Sequence, residues 1–141
     1  MNLQLCESKD LAASAQLSLT NMQPYYDMYG VEWGVADIHR AISELLNYDI
    51  VSDHGIVGAV RLSFDGAGCQ LRDIQIADPN KGKGFGAKII GMIRELAVKR
   101  GMERIELKVF QRSPAVHLYL RCGFVQTEAD ERFFFMRLNL P

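Results

Sequence analysis

Apolar residues along the chain change their spacing several times, and each change marks a new element. Leu3 and Leu5 alternate with polar neighbours, which predicts a short first strand. Over residues 9–29 the spacing is helical in places and Pro24 interrupts it, predicting a helix followed by a second short turn or helix. Ile38, Ile42, Leu45 and Leu46 recur at helical spacing and predict an amphipathic helix over 35–47. Residues 48–52 and 56–64 are rich in β-branched side chains and flank Asp53-His54-Gly55, a tight-turn composition. A second turn, Asp65-Gly66-Ala67-Gly68, leads into 69–77, so these three stretches predict an antiparallel meander.

After the meander the period lengthens again. Phe85, Ile89, Ile90, Ile93, Leu96 and Ala97 mark one face of a helix over 84–100, with Lys99 and Arg100 at its favourable C-terminal end and Gly101 as a left-handed cap. Residues 104–109 alternate and predict a strand. A helix connects it to the 69–77 strand, so the two should run parallel. Ser113-Pro114 supplies an N-cap and a first helical residue for a short helix ending before Gly123. Residues 132–138 predict a last apolar strand. The whole reads as one α/β domain over 1–141 with a mixed sheet.

Composition narrows the function classes. Hydrophobic residues make up 48% and charged residues 23%, close to globular averages, which argues against disordered and fibrous classes. Sixteen Lys and Arg face seventeen Asp and Glu, so no overall field favours a nucleic-acid backbone. Cys6, Cys69 and Cys122 are odd in number, far apart and outside any Cys-x-x-Cys pair, which argues against zinc or a disulfide framework and for a reducing cytoplasm. The first residues do not read as a signal peptide, and the uncharged run over 11–26 is too polar to span a bilayer. A soluble cytoplasmic protein without membrane or nucleic-acid partners is expected.

The densest candidate chemistry is Lys81-Gly82-Lys83-Gly84-Phe85-Gly86, between a strand and a helix start. Glycines let the backbone approach a ligand and aim several N–H groups at one point. The helix start adds partial positive charge, and Lys81, Lys83 and Lys88 add full charges. Diphosphate is the natural occupant. A P-loop fails on spacing, because, counted from Gly82, Ala87 and Ile89 stand where the second Gly and the Ser or Thr belong. A dinucleotide pattern fits formally as Gly82, Gly84 and Ala87, with Glu103 or Glu106 near the acidic position. Asp78-Pro79-Asn80-Lys81 intervenes after the strand, however, and a meander precedes it, so that reading is weak.

A third reading covers more of the chain. Ile76-x-Asp78-Pro79-x-Lys81-Gly82-Lys83-Gly84-x-Gly86 resembles the acetyl-CoA-binding motif of the GNAT superfamily of N-acetyltransferases. Downstream, Ala115-x-x-Leu118-Tyr119-x-x-x-Gly123-Phe124 resembles that family's second motif at the matching distance. The resemblance is good from Tyr48 onward. Lys81 stands where the family has Arg or Gln, which keeps charge but loses planar donors. Gln111-Arg112-Ser113 replaces the usual Asn, so Ser113 would take part of its contact with the pantetheine arm.

The resemblance implies a mixed, mostly antiparallel sheet of six or seven strands flanked by about four helices. It implies acetyl-CoA as acyl donor, no metal, and a primary amine of unknown identity as acceptor. Backbone groups of Ile74, Gln75 and Ile76 would serve the arm and the thioester oxygen. Amides over Lys81, Gly82, Lys83, Gly84, Phe85, Gly86 and Ala87 would hold the diphosphate. Tyr119 would protonate the departing sulfur. Asp73 matches a position where relatives place an acid, although its parity with Leu71 and Gln75 equally fits a solvated sheet residue.

Elsewhere the signals are thinner. Tyr25, Tyr26, Asp27, Tyr29, Glu32 and Trp33 mix aromatics with acids, suiting either a lid over a cationic amine or helix packing. His39, His54 and His117 have no evident partners. Phe133, Phe134 and Phe135 cannot all face one side of a strand, which makes a homodimer contact reasonable. A catalytically weak acetyl-CoA-binding regulatory module is the alternative to an active transferase.

Overall fold

The computed structural model describes residues 2–141. Seven strands, β1 (Gln4–Glu7), β2 (Leu46–Ser52), β3 (Gly55–Asp65), β4 (Gly68–Ile76), β5 (Arg104–Phe110), β6 (Val125–Ala129) and β7 (Phe133–Asn139), form one sheet in the order β1-β2-β3-β4-β5-β7-β6. Four helices accompany them: α1 (Leu11–Tyr29), α2 (Val35–Ile42), α3 (Phe85–Lys99) and α4 (Ala115–Arg121). β4 and β5 run parallel, whereas β1–β2, β2–β3, β5–β7 and β6–β7 run antiparallel. By contacts the chain divides into two compact units, one of residues 1–62 and 73–83, the other of 63–72 and 84–141.

In the first unit α1 is continuous, with Pro24 inside it, rather than broken there as its sequence predicts. Proline removes one ladder donor. Side chains on either side of it are held tightly: Asn21 is hydrogen-bonded to β4, and Tyr26 packs on the cluster of Ala15, Ile38 and Ile42. Asp10 caps the helix by accepting from the Ala13 N–H at 3.0 Å. α2 is shorter than its apolar spacing predicts and stops at Ile42. The Asn47 side chain, already in β2, donates to the carbonyls of Ile42 at 2.9 Å and Leu45 at 3.0 Å, so a strand residue closes the helix end.

β3 carries one position of extreme closeness. A Cβ at Gly58 would fall 2.2 Å from the Gln75 carbonyl oxygen, and that contact is with backbone. Only glycine fits there.

In the second unit α3 buries Phe85, Ile89, Ile90, Ile93 and Ala97, the face its spacing predicts. Gly101 takes φ +73 after the helix, as a left-handed terminus requires. β5 alternates as far as Val109, with Ile105, Leu107 and Val109 buried, and Phe110 is buried next to it. β6 is the one strand the apolar pattern does not reveal, since all five of its residues are exposed on a sheet edge. The turn into β7 is set by Asp130, whose Oδ1 accepts from the N–H groups of Arg132 at 2.8 Å and Phe133 at 2.7 Å. The three phenylalanines of β7 are all half-buried; Phe133 stacks on Phe110 at 4.5 Å and lies under Lys108.

Candidate active site

The chain leaves β4 through a single 3₁₀ turn, Asp78–Asn80, with Pro79 inside it. Lys81 is extended, then Gly82 and Gly84 both take φ +76, in the left-handed region that side chains resist. A Cβ on either glycine would meet nothing within 4 Å, so the space over the turn is open. α3 then starts at Phe85 with no side chain capping it. Its first-turn N–H groups therefore look outside the helix for acceptors. The buried Phe85 ring fixes the start, while Lys83, Ala87 and Lys88 are exposed around it. Lys81 is exposed too, with Nζ 3.3 Å from Asp78 Oδ1.

Gly86 is glycine for a different reason. A Cβ there would lie 2.7 Å from Leu118 Cδ2, because α4 passes close to the first turn of α3. The first two glycines shape the turn; the third makes room for a neighbour. Two left-handed glycines under open space, uncapped amides and exposed lysines together fit a diphosphate.

β4 holds the second group of candidates. Asp73 and Gln75 share a side of the strand, as parity predicts, but Asp73 is no solvated sheet residue. Its Oδ1 accepts from Gln75 Nε2 at 2.7 Å and its Oδ2 from Ser18 Oγ at 3.1 Å. Arg61 of β3 stands behind it, fully buried, with Nε 3.7 Å from Asp73 Oδ2. The Arg61 guanidinium donates to Ser14 Oγ at 2.9 Å, to the Ser14 carbonyl at 3.0 Å and to Ser18 Oγ at 2.6 Å. Burial pushes the Asp73 carboxyl above its ordinary range, opposed by Arg61 and by hydrogen bonds from Gln75, Ser18 and the Ile74 N–H. Burial likewise lowers Arg61, with Asp73, Asp49 and Tyr26 opposing, and burial with the Asp73 charge raises the Tyr26 phenol.

Backbone groups of Ile74, Gln75 and Ile76 do not form one uniform row. Strand backbone groups alternate in direction, and the Gln75 carbonyl faces Gly58 of β3. The Ile74 N–H is hydrogen-bonded to the Asp73 carboxyl, and the Ile76 carbonyl accepts from Asn21 Nδ2 at 2.9 Å. Sequence reasoning missed Arg61, Ser18 and Asn21. The available signal was a lone arginine inside the apolar run 57–62, where a charge needs a buried partner.

α4 carries the third group. Ser113 acts as the cap: its Oγ accepts from the Ala115 N–H at 3.1 Å and its carbonyl from the Val116 N–H at 3.2 Å, around a helical Pro114. Tyr119 is buried at 8% exposure, its ring tilted on Phe124 at 5.6 Å. His39, His54 and His117 are exposed. Among the described residues no group of His, Cys, Asp and Glu is arranged to hold a metal, and no helix is long and apolar enough to cross a membrane.

Known proteins share this architecture. A nourseothricin acetyltransferase is 26% identical over 70% of this chain and 66% of its own, with a TM-score of 0.63. Spermidine N-acetyltransferase from Vibrio cholerae, solved with CoA and spermine, is 20% identical over 98% of this chain and 94% of its own, with a TM-score of 0.75. Ard1 from Thermoplasma volcanium is 17% identical over 100% and 99%, with a TM-score of 0.76. No curated protein matches the chain. The sequence model of the acetyltransferase (GNAT) family matches residues 15–124, and the chain belongs to that family.

Proposed function

We propose that the protein transfers an acetyl group from acetyl-CoA to a primary amine. The observation that carries this reading is the open, doubly left-handed turn at Gly82 and Gly84 before the uncapped start of α3, in a chain of the GNAT family. Amides over residues 81–87 would hold the diphosphate, with Lys81 and Lys83 adding charge. Bound acetyl-CoA supplies a thioester carbon open to attack and a sulfur that departs with the electron pair of the broken bond. Asp73 accepts the proton that the ammonium must lose before its nitrogen can attack. Tyr119 holds a phenolic proton at neutral pH and gives it to the departing sulfur, and the second proton, shed by the nitrogen as the amide forms, restores the phenol. Ser113, committed to capping α4, keeps the segment before Tyr119 in place.

A binding-only regulatory module is less well supported, since the Asp73 network provides an acceptor for the amine proton. For the acceptor, Asp27 and Glu32 are exposed near the end of α1, where Trp33 meets Tyr26 edge-on at 6.4 Å, which suits a cationic amine. Calorimetry with CoA, acetyl-CoA and NAD tests the cofactor; binding of NAD without CoA overturns the reading. Coenzyme A release across amines, polyamines, aminoglycosides, amino acids and peptide N-termini tests the reaction, and release with none of them returns the binding module.

A further inference from the structure

The hydrogen bonds around Asp73 have a direction that can be worked out from their two ends. At one end is Arg61, which only donates. Ser18 Oγ receives Arg61 Nη2 at 2.6 Å, so its single proton is left for Asp73 Oδ2 at 3.1 Å. At the other end is the Ile76 carbonyl, which only accepts. It takes Asn21 Nδ2 at 2.9 Å, and the same nitrogen meets Gln75 Oε1 at 3.0 Å. Gln75 must therefore turn its own nitrogen toward Asp73, and it does so at 2.7 Å. Both chains point inward, and both carboxyl oxygens receive donors.

We propose that Arg61, acting directly and through Ser18, is a positioning residue that keeps Asp73 ionised and oriented to take the proton of the acceptor ammonium. The inference rests on the acetyltransferase reading and deepens it. The step is balanced: the ammonium gives one proton to the carboxylate, leaving a neutral amine with its lone pair and a carboxylic acid. A carboxyl a quarter exposed and cut off from most of its water would otherwise hold its proton too tightly to act as a base. Groups that face the pair are Arg61 from β3, Tyr26 and Ser18 from α1, and Asp49 from β2 through its field on Arg61. Tyr26 keeps its proton, so Arg61 is the cation that decides the charge of Asp73.

A purely structural staple would leave the pH dependence of turnover unmoved when it is loosened without unfolding. The test uses the intact 141-residue chain carrying ¹³C at its aspartate carboxyl carbons, with the Asp73 signal assigned through Asp73→Asn. In Arg61→Met the Asp73 titration midpoint should rise by about one to three pH units, the usual effect of losing an adjacent opposite charge. Ser18→Ala should raise it by less, and the acidic limb of kcat/KM should move with the midpoint in both. An unmoved midpoint in folded variants overturns the proposal, as does a moved midpoint with an unmoved limb. Should Arg61→Met fail to fold, Ser18→Ala decides by the same criteria. Absence of turnover in the wild type with every amine overturns the acetyltransferase reading and this role with it; an unmoved midpoint in an active enzyme overturns this role alone.

Discussion

The two units seat a long helix by opposite chemistries. α3 buries Phe85, Ile89, Ile90, Ile93 and Ala97, an apolar stripe that stabilises roughly in proportion to the area it removes from water. α1 buries Ser14, Ala15 and Ser18, and two of these hold a fully buried arginine. An apolar seat is forgiving, because a lost methylene costs only its own transfer and cavity. A polar seat is a specification: every donor needs its acceptor, and the removal of one partner strands the others.

That contrast is open to direct attack, beginning with its polar side. Arg61→Met should cost about 3–5 kcal/mol in urea unfolding, the range for breaking a buried ion pair from one side. Combining it with Asp73→Leu should cost clearly less than the sum of the two single changes, whereas two truncations in the α3 stripe far enough apart should add. Strict additivity at Arg61 and Asp73 would remove the distinction between the two seats.

Within the apolar unit, Tyr119→Phe isolates a polar function from its packing. The ring stays on Phe124, so Tm should remain near that of the wild type while turnover falls by about 10²–10⁴-fold. Unchanged turnover with a lowered Tm would make Tyr119 a core residue and nothing more.

Gly84→Val puts a branched side chain at φ +76, a strain of about 1–3 kcal/mol that the turn relieves by moving. CoA affinity in calorimetry should drop by roughly tenfold or more, equivalent to about 1.4 kcal/mol. Lys83→Ala, which removes only an exposed charge, should weaken binding by less. Equal affinities for both variants and the wild type would refute the diphosphate site.

The smallest effects lie in the pH dependence of stability, where the two units should differ in sign. Asp73 has a raised carboxyl, so its contribution is full below the unfolded value and declines as pH rises through the folded one. Glu106 is the reverse. Desolvation raises it, but hydrogen bonds from Arg104, Gln70 and Arg137 with the Arg104 charge win and lower it, so its contribution is lost as pH falls. Asp130, lowered by the Phe133 and Arg132 N–H groups, adds a decline of the same sign. Urea midpoints from acid to neutral pH should therefore fall less steeply toward acid in Glu106→Gln and no less steeply in Asp73→Asn.

Legibility in the sequence followed the same divide. α3, β5 and the meander were readable because apolar spacing reports burial directly. The glycine turn was readable because left-handed backbone leaves few residue choices. α1 reads as broken in the sequence, since its buried face presents serines that look solvated and its proline looks like a stop. The apolar period overstates α2 because Leu45 and Leu46 continue it, while the cap that ends the helix comes from Asn47. β6 offered no apolar residue to the inside and so gave no signal. In the sequence Asp73 stands out by position alone; the arginine that pairs with it lies twelve residues earlier, on another strand.

The approach of Gly86 to Leu118 turns a packing detail into a mechanical linkage. Because no side chain stands between them, a methyl added at 86 would act as a lever on α4, and the residue next to its point of contact is Tyr119. Attempts to stiffen the first turn of α3 by replacing this glycine with a better helix former would thus retune the position of the phenol. In the proposed reaction, improvements sought in the hold on one substrate would be felt in the handling of a proton.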